Sequence, residues 1–410
     1  MFSMARICCL DLDTFFVSVE RLLDPSLEGR PVVVGGRRGG RGVVTAASYE
    51  AREHGVRSGM SMQIASQLAP PDAVFLSTRH DTYGPYAKRV RGVLERFSPE
   101  VRTASIDEFY IDFSGCERLY RQPSDHDGDA AIERTVRAMC AAIADEIGLP
   151  ASAGIGTSRV IAKIASGRAK PAGVLLVPRG SERAFLLPLP VRKFPGIGPK
   201  AEMRMQRRGI ETLGDLVALP AGDLRDELSR SIRAVERELL GQGRRALGRE
   251  RPAFQEHDPE GLQVGSISNE RTFFAALDDE RRVLDQILAL AERVCWRARK
   301  RQMRARTVTL KLRYTDFETI TRSLTGPPTD EEAILLERLQ AIYRKNRTRP
   351  VPIRLVGVAL SNLVTSSGQL TLPFDRRRRI GDALDDVRLK YGYDAVRLGA
   401  SKARSRRGTG

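Results

Sequence analysis

A chain of 410 residues is too long for one ordinary domain and leaves room for roughly two to four. At 41% hydrophobic and 29% charged it has a globular composition, and no apolar run approaches the roughly 18 residues that cross a membrane. The 68 Lys+Arg against 51 Asp+Glu leave +17, which favours a polyanionic partner such as nucleic acid, while five cysteines without CxxC or Cys/His spacing argue against a disulfide framework and a zinc site.

The N-terminus lacks a small-residue cleavage site, so a cytoplasmic location is expected. The first element is "CCLDLDTFFVSVE", Cys8 to Glu20, an apolar run that carries Asp11 and Asp13 and continues into two adjacent phenylalanines. Its start reads as a strand, with Asp11 and Asp13 on one side and Leu10, Leu12 and Thr14 on the other. Pro31 to Val34 and Val43 to Ala47, joined by "GGRRGGRG", read as a hairpin with a mobile basic tip. "SIDEFYIDFSG" supplies a second buried strand through Ile106, Tyr110 and Phe113. The steps between Ile132, Val136, Met139, Ile143 and Ile147 predict a helix over 129–147. From Pro188, short helical stretches broken by Gly and Pro suggest a helical domain to about Leu240, and the polar Gly241 to Gly261 segment reads as a linker. In a third unit "TVTLKLRY" alternates, with Val308, Leu310, Leu312 and Tyr314 inward and Thr307, Thr309, Lys311 and Arg313 outward.

Acids are depleted in buried strands, and an uncompensated buried charge costs on the order of several kcal/mol. Asp11, Asp13, Asp107 and Glu108 therefore need counter-charge. Arginines at the strand ends would serve; so would a divalent cation, and hard oxygen donors without His or Cys suit Mg²⁺ or Mn²⁺ rather than zinc. "SYEAR" sets Tyr49 and Arg52 three apart, and "IAKIAS" puts Lys163 inside an apolar helix-like run; each could meet a triphosphate.

Together these stretches resemble the Y-family DNA polymerases of the DinB branch. The pieces that carry the likeness are "DLDTFFVSVE", "RPVVVGG", "AASYEAREHGVRSGMSM", "SIDEFYIDFSG", "GIGTSRVIAKIASGRAKPAG", "VRKFPGIGPKAEMRMQRRGIETLGDL" and "SISNERTF", in family order over about residues 5 to 363. The resemblance implies an α+β multidomain right-hand polymerase: palm (1–14 and 81–170), fingers (15–80), thumb with a helix-hairpin-helix (171–240), linker (241–262), α/β little finger (263–364) and a C-terminal tail (365–410). The implied activity is template-directed addition of dNMP to a primer 3′-OH, copying across lesions at low fidelity without proofreading. It implies two Mg²⁺ ions, replaceable by Mn²⁺, lying about 3.5–4 Å apart.

By resemblance, Asp11 and Asp107 hold both ions, Glu108 holds the primer-side ion, and the Leu12 carbonyl adds an oxygen, while Asp13 matches the motif without being a sure ligand. Phe16 matches the steric gate against a ribose 2′-OH; Phe15 beside it is grouped with the nucleotide site but is also a natural core residue. Tyr49, Arg52 and Lys163 match triphosphate-binding residues, Arg as a bidentate fork and Lys as a point charge. Two departures bear on selectivity: Ala46 stands where the family often has Thr, and Phe109 where it often has a small residue.

For DNA, Gly196-Ile197-Gly198 and Lys200 look like a helix-hairpin-helix turn that approaches phosphate, and Thr307, Thr309, Lys311 and Arg313 form a backbone-binding face. "QLTLPF" resembles a bacterial sliding-clamp peptide keyed by Gln369, Leu372 and Phe374 and followed by a helix from Ile380 to Tyr391. The expected partners are primer-template DNA, dNTPs and the clamp, with no membrane, and the expected state is a monomer. A noncatalytic DNA- and clamp-binding adaptor is disfavoured because all three carboxylates are present. A metal-dependent nuclease leaves Phe16, Tyr49, Arg52 and Lys163 unexplained.

Overall fold

The computed structural model describes residues 6–98, 100–220, 222–240, 265–365 and 376–397. The chain divides into two compact units, Met1–Glu256 and His257–Gly410. Among the described residues no helix is long and apolar enough to cross a membrane.

In the first unit, β1 (Ile7–Leu12) is followed by β2 (Val32–Val34), β3 (Ala46–Ala47) and β4 (Val74–Leu76), then by β5 (Val101–Thr103), β6 (Glu108–Asp112), β7 (Ala151–Gly156) and β8 (Val174–Leu176). A five-stranded sheet runs β5-β6-β1-β7-β8, with β1 at its centre and antiparallel to both neighbours. The alternation of β1 sorts its residues: Cys8, Leu10 and Leu12 enter the main core with Phe109, Ile111 and Ile132, while Ile7 and Cys9 lie with Tyr110 and Ala162 on the other face. The helix predicted over 129–147 spans Gly128–Ile147, capped by Asp127, whose carboxylate accepts from Ala130 N at 2.8 Å. On the second face lies the helix Arg159–Ala169, brought close by Gly154: a Cβ there would meet Ser166 N at 2.1 Å.

The smaller sheet runs β3-β2-β4. The expected hairpin is present with a shorter second arm: Val33 and Val34 pair with Ala47 and Ala46, while Val43 makes only an isolated bridge to Ser61. β4, which the sequence reading did not contain, adds in parallel. The arginine-rich connection is tied down rather than free, with Arg38 stacked 4.8 Å from the Phe75 ring and Gly39 N donating to Ser66 Oγ at 2.7 Å. The large sheet has one more strand than the sequence pattern predicts. Val174–Leu176 pairs with β7, so the large sheet extends past residue 170, because a three-residue parallel strand can join an edge with little sequence signal. A separate core around Ile197, Met205, Leu213, Leu216, Ile232 and Val235 holds the small helices up to Leu239.

The second unit has the order strand, helix, two strands, helix, strand: β9 (Ser266–Leu277), β10 (Met303–Tyr314), β11 (Thr319–Thr329) and β12 (Ile353–Thr365), with helices Glu280–Arg299 and Glu332–Asn346. Its antiparallel sheet is ordered β11-β10-β12-β9. Val308, Leu310, Leu312 and Tyr314 face the helices, as their alternation predicts. A last helix, Arg376–Tyr391, begins before the expected Ile380 and is pinned to this unit through Arg388, fully buried against Glu292, and through Asp385, which accepts from Arg299 Nε at 2.6 Å. The expected linker lies outside the described residues.

Candidate active site

Antiparallel pairing sets Asp11 of β1 directly opposite Glu108 of β6 and beside Ser152 of β7. Just before β6 the chain bends. Leu12 N donates to Asp107 O at 2.9 Å and Ser105 Oγ donates to the Asp107 carboxylate, which fixes the third acid at the strand entrance. The sequence reading had the strand already running at Ile106; instead Ile106 is core packing in the bend.

Each facing acid carries a lysine. Lys163, from the helix seated over Gly154, pairs with Glu108; Lys170, from the loop after that helix, pairs with Asp11 and lies 3.5 Å from an Asp13 oxygen. Burial pushes the Asp11 carboxyl up to about 6 against the lowering pull of Lys170, and the nearby Asp107 and Glu108 add to the rise. Burial works against the charge on Lys163, but Glu108 outweighs it and holds the ammonium above its usual range. Asp13 is 1% exposed and accepts from Ser152 Oγ and Ala172 N, both at 2.7 Å, so it ties the end of β1 to β7 and to the loop that carries Lys170. Among the described residues no group of three or more acids, histidines or cysteines is drawn together to hold a metal; Asp11 and Glu108 each face a lysine instead.

After β1 the backbone turns through Thr14 at φ 45° into the helix Phe15–Leu23. The turn sends Phe15 into the main core at 3% exposure, so it is a packing residue there rather than an open nucleotide contact. Phe16 stays partly exposed, stacked on Tyr83 with centroids 4.1 Å apart and planes 15° apart. The short helix Tyr49–Glu53 is capped by Ser48, whose Oγ accepts from Ala51 N at 3.2 Å and Val32 N at 3.0 Å. This commits the Ser48 hydroxyl to the backbone, and Ala46 has none to offer. The Tyr49 hydroxyl is buried without a hydrogen-bond partner, and burial, with Asp13 close by, raises its pKa; the Arg52 guanidinium lies 5.1 Å from its ring.

The expected DNA-holding turn takes φ 99° at Gly196, plugs Ile197 into the small helical core, and leaves open space where a Cβ of Gly196 or Gly198 would stand. Lys200 is exposed at the start of the helix Pro199–Gln206. In the second unit the face expected to be outward is partly covered. Thr307 is only 7% exposed, bonded to Thr325 Oγ1 at 2.8 Å and accepting from Asn362 Nδ2 at 2.9 Å beside a register shift. Thr309 bonds to Ser323 at 2.8 Å, Arg313 Nε donates to Thr319 at 2.8 Å, and Lys311 pairs with Glu270 at 2.8 Å. Gln369, Leu372 and Phe374 lie outside the described residues. Sequence reasoning missed Lys170, which follows its helix in a loop without periodicity, and Tyr83, hidden in a helix with no motif of its own.

The sequence matches the impB/mucB/samB family over residues 10–167, that family's C-terminal domain over 264–372, and its HHH motif over 179–210. A DNA polymerase IV of Dehalococcoides mccartyi (strain CBDB1) is 36% identical over 401 residues, 97% of each chain. A DNA polymerase IV of Alkalilimnicola ehrlichii is 38% identical over 364 residues, 88% of this chain and 96% of the relative. Among solved structures, a Y-family DNA polymerase chimera of Dbh and Dpo4 superposes with a TM-score of 0.71 at 21% identity, over 88% of this chain and 99% of that one, a likeness of fold.

Proposed function

The chain belongs to the impB/mucB/samB family of DinB-type, Y-family DNA-directed DNA polymerases, and we propose that it extends a primer 3′-OH on lesion-bearing templates by two-metal nucleotidyl transfer, at low fidelity and without proofreading. The observation that carries the site-level reading is the cross-strand placement of Asp11 opposite Glu108, with Asp107 at the bend beside them. The donor set is all hard oxygen, and it suits Mg²⁺, with Mn²⁺ able to substitute. The buried Tyr49 hydroxyl stands without a hydrogen-bond partner, as a polar ligand nearby would require.

Asp11 and Asp107 would hold both ions, Glu108 and the Leu12 carbonyl completing the set. When bound, the ions would lower the pKa of the primer hydroxyl and neutralise the leaving pyrophosphate. Lys163 and Lys170, displaced from their carboxylates, would turn to the triphosphate together with Tyr49 and Arg52. Phe16 would reject a 2′-hydroxyl by clash and by leaving it without a partner. The five-stranded sheet is read as the palm, the three-stranded sheet as fingers, the small helices as the thumb and the second unit as the little finger. Gly196, Gly198 and Lys200 would meet DNA phosphates, Thr309, Lys311 and Arg313 would line the little-finger face, and Gln369 to Phe374 would engage the sliding clamp of a cytoplasmic monomer. Single-nucleotide incorporation opposite each template base tests this. Choice that follows the template, without shortening of a mismatched primer, supports the reading, and primer degradation overturns it.

A further inference from the structure

Glu20 closes the motif that holds Asp11 and Phe16, and no role above uses it. It is 3% exposed on the helix Phe15–Leu23, and a buried carboxylate needs partners. Arg79 grips it as a fork, with Nε donating at 2.9 Å and Nη2 pairing with the second oxygen. The Tyr83 hydroxyl donates to the same carboxylate at 2.7 Å, and Arg79 N donates back to that hydroxyl at 3.3 Å. Tyr83 is fully buried, packed edge-on to Phe15 at 6.3 Å and stacked on Phe16 at 4.1 Å.

We propose that Glu20 and Arg79 are positioning residues that fix Tyr83 as the backstop of Phe16, and so set how stringently a ribose is rejected. The inference rests on the reading of Phe16 as the sugar gate. A clash discriminates only as far as the ring struck cannot retreat. Phe16 is partly exposed and could shift, but Tyr83 stands behind it, and its one polar atom is held by the buried Glu20 carboxylate, itself gripped by the half-exposed Arg79. Loosening that hold frees Tyr83 to yield, and the hydroxyl gains room while the carboxylates and lysines stay as they are.

The test is kcat/KM for dATP and for ATP opposite a template thymine, with full-length wild type, Tyr83→Phe, Arg79→Ala, Glu20→Gln and Phe16→Ala, each checked for its melting temperature. Tyr83→Phe keeps the ring and removes only the tether, and Arg79 is half-exposed, so these two variants should fold. Both should lower the deoxy/ribo ratio roughly tenfold, the scale of one well-placed apolar contact, and keep dATP use within about threefold. Glu20→Gln should fall between them and wild type. General loosening of the fold would lower both substrates together and leave the ratio alone. A ratio unchanged in Tyr83→Phe and Arg79→Ala, but lowered in Phe16→Ala, overturns the proposal and spares the gate. A ratio unchanged even in Phe16→Ala overturns the gate reading, and this inference with it.

Discussion

The Lys170 ammonium sits 3.5 Å from an Asp13 carboxylate oxygen while pairing with Asp11, so one cation reaches both acids of the first motif from a position 159 residues along the chain from Asp11. Such a cation offsets part of the charge of the two acids, and on the proposed reading it turns to the triphosphate when they hold metal. Lys170→Ala should lower kcat/KM for dNTPs by the worth of a charged hydrogen bond, about 1.5–3 kcal/mol or roughly tenfold to a hundredfold. DNA affinity should hold. Arginine at this position should rescue little, since a planar fork does not replace a point charge. Steady-state incorporation kinetics alongside DNA titration would check this.

DNA binding offers a second contrast. Lys200 is exposed beside the open Gly196 turn, whereas Lys311 is paired with Glu270 at 2.8 Å. In plots of log Kd against log salt, Lys200→Ala should reduce the slope by about one phosphate contact, and Lys311→Ala by less. Equal losses would mean that Lys311 leaves Glu270 to meet DNA.

The buried pair of Arg388 and Glu292 makes the last helix part of the second unit. Arg388→Ala removes the buried cation that pairs with Glu292 and should destabilise that unit by about 3–5 kcal/mol, while replacing both partners with apolar residues should be far milder. The single tryptophan, Trp296, lies 5.0 Å from the Tyr393 ring just beyond that helix, so its fluorescence in denaturant reports the loss directly.

How much of this was legible follows from what leaves a pattern. β1 was readable because Leu10 and Leu12 alternate with Asp11, and that same alternation puts the acid on the face opposite the main core. The helix Gly128–Ile147 was readable from its apolar steps. Val174–Leu176 was not, being too short to show a period, nor was Lys170, whose position depends on a loop rather than a repeat. Thr307 has the right parity for an exposed face, but Asn362 of β12 donates to it on one side and the register with β11 shifts on the other, which no single-strand pattern records. Phe16 was legible as an aromatic residue beside the acids; the Tyr83 behind it was not, because stacking across elements leaves no local trace.

Glu238, at the end of the helix Ser229–Leu239, is 5% exposed and accepts from Ser158 Oγ, and burial raises its carboxyl above the ordinary 4.5 despite that bond. The folded state therefore keeps a proton that the unfolded chain has already lost. The stability from this group is fully present below 4.5 and falls as pH rises through the window above it. Glu238→Gln keeps the hydroxyl's acceptor and removes the titration, so wild type should lose melting temperature relative to the variant as pH climbs from 4.5 toward neutrality. A difference that grows in favour of wild type with pH would contradict it.

The central claim, that Asp11, Asp107 and Glu108 carry template-directed polymerisation, is tested most directly by extending a labelled primer on an undamaged template with Mg²⁺ and dNTPs, comparing wild type with Asp107→Ala. Template-dependent extension by wild type is expected, and its loss in a variant that still binds primer-template DNA with unchanged affinity. Extension that survives Asp107→Ala, or a wild type that binds DNA and extends nothing, would contradict it.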